Sequence, residues 1–155
     1  MNKLPMTREG LEMLHEEVKR LKREERPRVI KLIEEARGHG DLSENADYDA
    51  AKDRQGWIES RIVELESKIA VAEVIDTSNH KGSRIVFGAT VEVEQEDGKV
   101  ISYRIVGDHE SDIKAGKISV NSPIARALIG KESGDYVEVI TPGGKKGLEI
   151  RKIKF

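Results

Sequence analysis

The chain has 155 residues, 36% of them charged and 37% hydrophobic, with a net charge of −2. That is too little apolar material for one deep core throughout; it suits a long two-helix element, narrow-seamed and well solvated, joined to a small compact domain. Cysteine is absent, which excludes disulfides, thiol nucleophiles and cysteine-ligated zinc; no apolar run approaches the roughly 20 residues of a membrane span, so a cytoplasmic protein with no membrane partner is expected.

The first element is a helix with Thr7 as its N-cap. Apolar residues recur at Leu11, Leu14, Val18 and Leu21, the alternating three-four step of a coiled-coil seam. Continued at the same period, the seam runs through Glu25 and Arg28 to Leu32, with Val29 and Ile33 on its flank. Pro27 lies inside this helix, where a kink or an unpaired carbonyl is expected. From Lys19 to Lys31 seven basic residues stand against two acidic ones, and from Glu34 to Asp53 seven acidic residues stand against two basic ones. The helix is therefore basic in its middle, and the hinge region is acidic.

Gly38 and Gly40 break the helix. Asp41 and Glu44 follow, three residues apart, at the start of a second helix. That spacing is a capping box, in which Asp41 caps the helix and Glu44 reaches back to its backbone. It equally presents two carboxylates at an exposed tip, where an ionised pair can hold a hard cation. Mg2+ is normally held by one or two carboxylates with waters and substrate phosphates. A pair alone binds it weakly, so the isolated chain is expected to be chemically inert.

The second helix repeats the seam at Tyr48, Ala51, Gln55, Ile58, Ile62, Leu65, Ile69 and Ala72. Paired against the first in reverse order (Leu11 with Ile69, Leu14 with Leu65, Val18 with Ile62, Leu21 with Ile58), the residue numbers always add to 79 or 80. A constant sum is what an antiparallel hairpin requires, and its midpoint falls at the glycine break. Closure within one chain predicts a monomer, not a scaffold that dimerises through the seam. The rod from Leu11 to the break is about 43 Å long at about 1.5 Å per residue. Trp57 is off the seam and reads as packing on the flank of the helix pair.

A polar linker, 76–83, then leads into alternating segments at 84–87, 90–95, 100–106, 136–141 and 148–153, which read as strands. Asp97-Gly98 is a turn between the second and third, and Gly143 to Gly147 reads as a strand-connecting turn. Between them Ser122 is a candidate N-cap, Pro123 suits the first helical position and Gly130 follows the end. The four histidines show no ligand spacing, and no nucleophile, P-loop or zinc motif occurs. The expected class is α+β: a helical-hairpin coiled coil over 1–75, a linker over 76–83, and a small antiparallel-sheet domain with one short helix over 84–155.

Four stretches, GDLSENADYDAAKDRQG from Gly40, RIVFGATV from Arg84, SYRIVGDHE from Ser102 and ISVNSPIARALIGK from Ile118, resemble the bacterial GreA/GreB family of transcript cleavage factors over essentially the whole chain. The resemblance implies an FKBP-like sheet domain that docks on RNA polymerase, and a hairpin that enters its secondary channel. It implies that Asp41 and Glu44 act as the catalytic carboxylates by holding a Mg2+ shared with the polymerase active site, not bound stably by the factor alone. In a backtracked complex the polymerase then cuts the nascent RNA near its 3′ end, releases a short fragment and resumes elongation. Arg26, Arg28, Lys31, Arg37, Lys52 and Arg54 are the candidate contacts to the extruded RNA, a salt-sensitive and sequence-independent interaction. Ser122 and Pro123 are candidate polymerase contacts, though they equally start a helix. The alternative within the family is a channel-blocking inhibitor, and the retained acidic pair argues for cleavage. A prolyl isomerase is a further alternative on fold alone, but this half has few aromatics for such a pocket.

Overall fold

A computed structural model describes residues 3–40, 45–78 and 80–155. They fall into two compact units, Leu11–Ala72 and a second made of Lys3–Gly10 with Glu73–Phe155. Lys3–Gly10, expected in the hairpin as part of 1–75, belong with the sheet domain.

The hairpin is built from α1 (Arg8–Arg20), one π-helical turn (Leu21–Glu25), α2 (Arg26–Arg37) and α3 (Ala46–Ala70). Thr7 caps α1, its hydroxyl accepting from the Gly10 N–H at 3.0 Å. The π turn is the answer to Pro27. Proline has no N–H and its ring crowds the carbonyl four residues back. The chain widens by one residue ahead of it, and the Arg26 N–H reaches five residues back to the Leu21 carbonyl. Pro27 then sits in the first turn of α2, where its missing donor costs little.

This extra residue rotates everything beyond it. Leu14 and Leu21 are buried as the spacing predicts, but past the π turn the buried positions are Val29, Ile33 and Ala36. Leu32, expected on the seam, is 48% exposed, and the Arg28 side chain points to solvent. The expectation failed there because it carried an α-helical period through a turn that is not α-helical. On α3, Ala51, Ile58, Ile62 and Leu65 are buried as read. Ion pairs bridge the two arms: Lys22 Nζ to Glu66 at 2.6 Å, Arg61 to Glu17 at 3.0 Å and Arg26 to Glu59 at 2.8 Å.

In the second unit β1 (Leu4–Met6) pairs with β2 (Ala72–Val74). The main sheet holds β3 (Thr90–Gln95), β4 (Val100–Val106), β5 (Lys117–Ser119), β6 (Tyr136–Thr141) and β7 (Gly144–Lys154), in the order β5-β4-β3-β7-β6. It is antiparallel except for β4 with β5, which are parallel. Inward alternation on β3 buries Val91 and Val93, and on β6 Val137 and Val139. These pack with Ile85, Ile105, Leu148 and Ile150, and with Leu128 of α4 (Pro123–Leu128).

Three expectations change here. The segment 84–87 is no strand: Ile85 N–H donates to the Lys131 carbonyl at 2.8 Å and its own carbonyl accepts from Gly130 N–H at 2.8 Å, so its partner is a loop. Its alternation reflects a buried Ile85 and a partly buried Phe87, both packed on the core of the sheet domain. The turn after β6 is confined to Pro142-Gly143, since Gly144 already pairs with Thr141 and β7 begins there. The parallel strand β5 was not foreseen; three residues are too short for a periodic signal.

Candidate functional site

The two arms of the hairpin meet at Asn45. Its backbone is extended, and its Oδ1 accepts from the Tyr48 N–H at 3.1 Å, which makes it the N-cap of α3. Its Nδ2 donates to the Ala36 carbonyl in the last turns of α2 at 2.6 Å. One side chain therefore satisfies an orphan donor of one helix and a C-terminal carbonyl of the other. The Gly40 backbone, at φ 97°, takes the left-handed conformation that glycine adopts without penalty.

Asp41 and Glu44, the sequence-derived catalytic and metal-holding pair, lie outside the described residues. The described ones bear on the capping-box alternative, because α3 starts at Ala46 and its cap is Asn45. Among the described residues no cluster of three or more metal-ligating side chains occurs.

The basic candidates separate into distinct settings. Arg26 is engaged with Glu59 by two parallel hydrogen bonds, both 2.8 Å. The Arg26 hydrogen bond holds the Glu59 carboxyl below its ordinary range, and the same bond raises the Arg26 guanidinium. Lys31 and Arg37 are exposed and make no ion pair among the described residues. Lys52 Nζ donates to the Gln55 side-chain oxygen at 3.0 Å. Arg28 and Arg54 converge on Glu25, at 3.3 Å and 3.8 Å, and Arg20 joins them at 3.2 Å. Arg54 also stacks on Trp57, its guanidinium carbon 4.4 Å from the ring centroid. Trp57, expected as flank packing, is 49% exposed with this cation on its face. Sequence reasoning placed Glu25 on the seam but gave neither it nor Arg20 a functional role; the available signal was an acid at a seam position inside a basic run.

In the sheet domain Ser122 is the N-cap of α4, accepting from Ala125 N–H at 3.2 Å and donating to the Ser119 carbonyl at 2.7 Å. Pro123 follows it, exposed, in the first helical turn. The structure thus uses Ser122 to start the helix and leaves Pro123 on the surface. No helix among the described residues is long and apolar enough to cross a membrane.

Comparison with known proteins agrees over the full length. The family model described as transcription elongation factor, N-terminal, matches residues 4–74, and that for transcription elongation factor, GreA/GreB, C-term, matches residues 79–155. The transcription elongation factor GreA of Phenylobacterium zucineum is 60% identical over 156 residues, covering 100% of this chain and 99% of its own. That of Ralstonia nicotianae is 57% identical over 157 residues, with the same coverage of 100% and 99%. The crystal structure of GreA factor homolog 1 of Thermus thermophilus is 27% identical, covers 99% of this chain and 100% of its own, and superposes with a TM-score of 0.44. With both halves matched in order, the chain belongs to the GreA/GreB family of transcription elongation factors.

Proposed function

We propose that this chain is an accessory factor of RNA polymerase. Its hairpin enters the secondary channel and stimulates the polymerase's own cleavage of nascent RNA in backtracked complexes, releasing a short 3′ fragment so that elongation resumes. Family membership supports the role in elongation. The observation that carries the finer reading is the cap of α3. Asn45 occupies that position and also binds the end of α2, so Asp41 and Glu44 are not needed to start the helix. Two carboxylates in the short connection between the helix ends are then available for other work.

Their chemistry fits Mg2+, a hard cation that takes oxygen ligands, and two carboxylates are too few to enclose it. Asp41 and Glu44 would hold it only where polymerase carboxylates and RNA phosphates complete the shell, so the chain by itself is inert. When bound, the ion supplies charge stabilisation to the attacking and leaving oxygens of the phosphodiester displacement. The chain's own contribution is to carry the two carboxylates in the connection between the hairpin's arms, ahead of the N-terminus of α3, whose dipole favours negative charge. The basic middle of the rod draws the extruded RNA towards it through phosphate contacts. The sheet domain provides the docking surface, with Pro123 and the α4 N-terminus as candidate contacts.

The test is a cleavage assay on a stalled, backtracked complex. Wild type should shorten the RNA only with polymerase present. Asp41→Asn and Glu44→Gln should each lower the cleavage rate about a hundredfold, the scale of losing one preorganised charge-stabilising group, while competing normally for the polymerase. Wild-type rescue by either variant, or RNA cleavage by the factor alone, would refute the assignment.

A further inference from the structure

Glu25 is an acidic residue at the centre of the basic arm, and its placement is specific. It closes the π turn Leu21–Glu25, and its side chain is only 15% exposed. Its Oε1 accepts from Arg20 Nη1 at 3.2 Å and from Arg28 Nη1 at 3.3 Å. Its Oε2 lies 3.8 Å from Arg54 Nη2 on the opposite arm. Arg20 and Glu25 are five residues apart, a spacing that in an α-helix leaves side chains about 140° apart around the axis. The wider π turn, whose hydrogen bonds join residues five apart, brings them onto one face. The insertion forced by Pro27 therefore creates this cluster.

Three guanidiniums share one carboxylate, which leaves a local surplus of two positive charges. Each guanidinium has five N–H donors in a fixed fork, so most of their donors remain free for another anion. The three arginine side chains are 48%, 67% and 48% exposed. Arg54 is further fixed by its stack on Trp57, whose indole is half exposed beside it. Guanidiniums gathered on one carboxylate next to an exposed indole suit a phosphodiester with an unstacked base, the chemistry of single-stranded RNA.

We propose that Glu25 is a positioning residue: it holds Arg20, Arg28 and Arg54 in one array that grips a phosphate of single-stranded RNA, with Trp57 presenting a face to the adjoining base. This inference rests on the proposed RNA-directed function and adds a contact that net charge alone does not predict. If the basic arm acted only through its charge, removing any acid from it would strengthen its hold on RNA. If Glu25 organises the array, removing it weakens that hold.

Glu24 is the matched control, being exposed, adjacent, of the same charge and without an ion pair among the described residues. The experiment uses the full chain bound to a backtracked polymerase whose RNA carries a photo-crosslinkable nucleotide at its 3′ end. Crosslink yield to the factor and cleavage rate are followed against salt. Glu25→Gln should lower the crosslink yield about fivefold and flatten its salt dependence, although the charge has risen by one; Glu24→Gln should hold or raise it. Arg54→Lys, which keeps the charge and loses the fork and the flat stack, should fall as Glu25→Gln does, and it covers the case in which Glu25→Gln fails to fold. Equal crosslinking by Glu25→Gln and Glu24→Gln, or wild-type behaviour of Arg54→Lys, overturns the inference while wild-type cleavage stands. Absence of cleavage with the wild-type factor overturns the proposed function instead.

Discussion

Gly10→Ala is expected to destabilise the protein, against the usual sign for a helical glycine. A methyl there would fall on the Glu110 carboxyl group and within 2.6 Å of its Cγ. Glu110 is 6% exposed and accepts from the backbone N–H groups of Thr7 and Gly107, both at 3.0 Å, and from the Thr7 hydroxyl. The carboxylate cannot move without releasing at least one of these donors. A hydrogen bond to a charged group is worth about 1.5–3 kcal/mol, and overpacking costs about 1–3 kcal/mol more. Helix propensity returns at most about 1 kcal/mol, so the net loss should be about 1.5–5 kcal/mol. Gly56→Ala is the control, since nothing lies within 4 Å of a Cβ there and propensity alone should stabilise by about 1 kcal/mol. Urea unfolding followed by circular dichroism measures both, and amide exchange at Thr7 and Gly107 reports the local contact. Adding Glu110→Asp, whose shorter chain withdraws from Gly10, should give a double variant less damaged than the two losses added. A Gly10→Ala protein as stable as wild type, with unchanged exchange at both amides, would refute the reasoning.

The rotated seam predicts that Val29→Ala costs about 1–2 kcal/mol and Leu32→Ala less than about 0.5 kcal/mol in the same unfolding experiment, because Val29 is 2% and Leu32 48% exposed; the reverse order would place the seam where an uninterrupted α period puts it. Asn45→Ala should cost about 1–2 kcal/mol through the lost cap, seen as reduced helicity on mild heating, while Asn45→Ser should recover the cap but leave the Ala36 carbonyl without this donor. Stability should decline with acid. Glu59 and Glu9 both titrate below their ordinary 4.5, Glu59 chiefly through the Arg26 hydrogen bond and Glu9 chiefly through a backbone hydrogen bond. The folded chain thus binds fewer protons than the unfolded one. Their contribution is complete above 4.5 and fades as the pH falls through the lowered values. Arg26→Gln should remove the Glu59 share, at most about 1 kcal/mol for so exposed a pair, visible as a shallower loss in urea titrations repeated from neutral pH downwards.

Periodic features were legible from the chain alone. The seam of α3, the first half of the facing seam, strands β3, β4 and β6 at their observed limits, and the Ser122 cap all depend on residues within a few positions of one another. The acidic pair at the break, Asp41 and Glu44, stands out by residue type in the chain but lies outside the described residues. What failed was continuation: one residue inserted ahead of Pro27 shifts every later side chain around the helix, and no pattern of apolar residues announces where the chain will widen.

The amino-acid sequence by itself determined that there is a hairpin with a basic arm and an acidic end, followed by a small sheet domain, because amphipathic period, turn residues and charge are local properties. Only the tertiary structure decided that Asn45 caps α3 while holding the end of α2, and that three arginines from both arms gather on Glu25. It also decided that Lys3–Gly10 join the sheet domain, through a bond from Thr7 to Glu110 across 103 positions. Such contacts are set by which surfaces meet after the chain has closed, and a side chain's partner at that distance leaves no trace in the spacing of its neighbours.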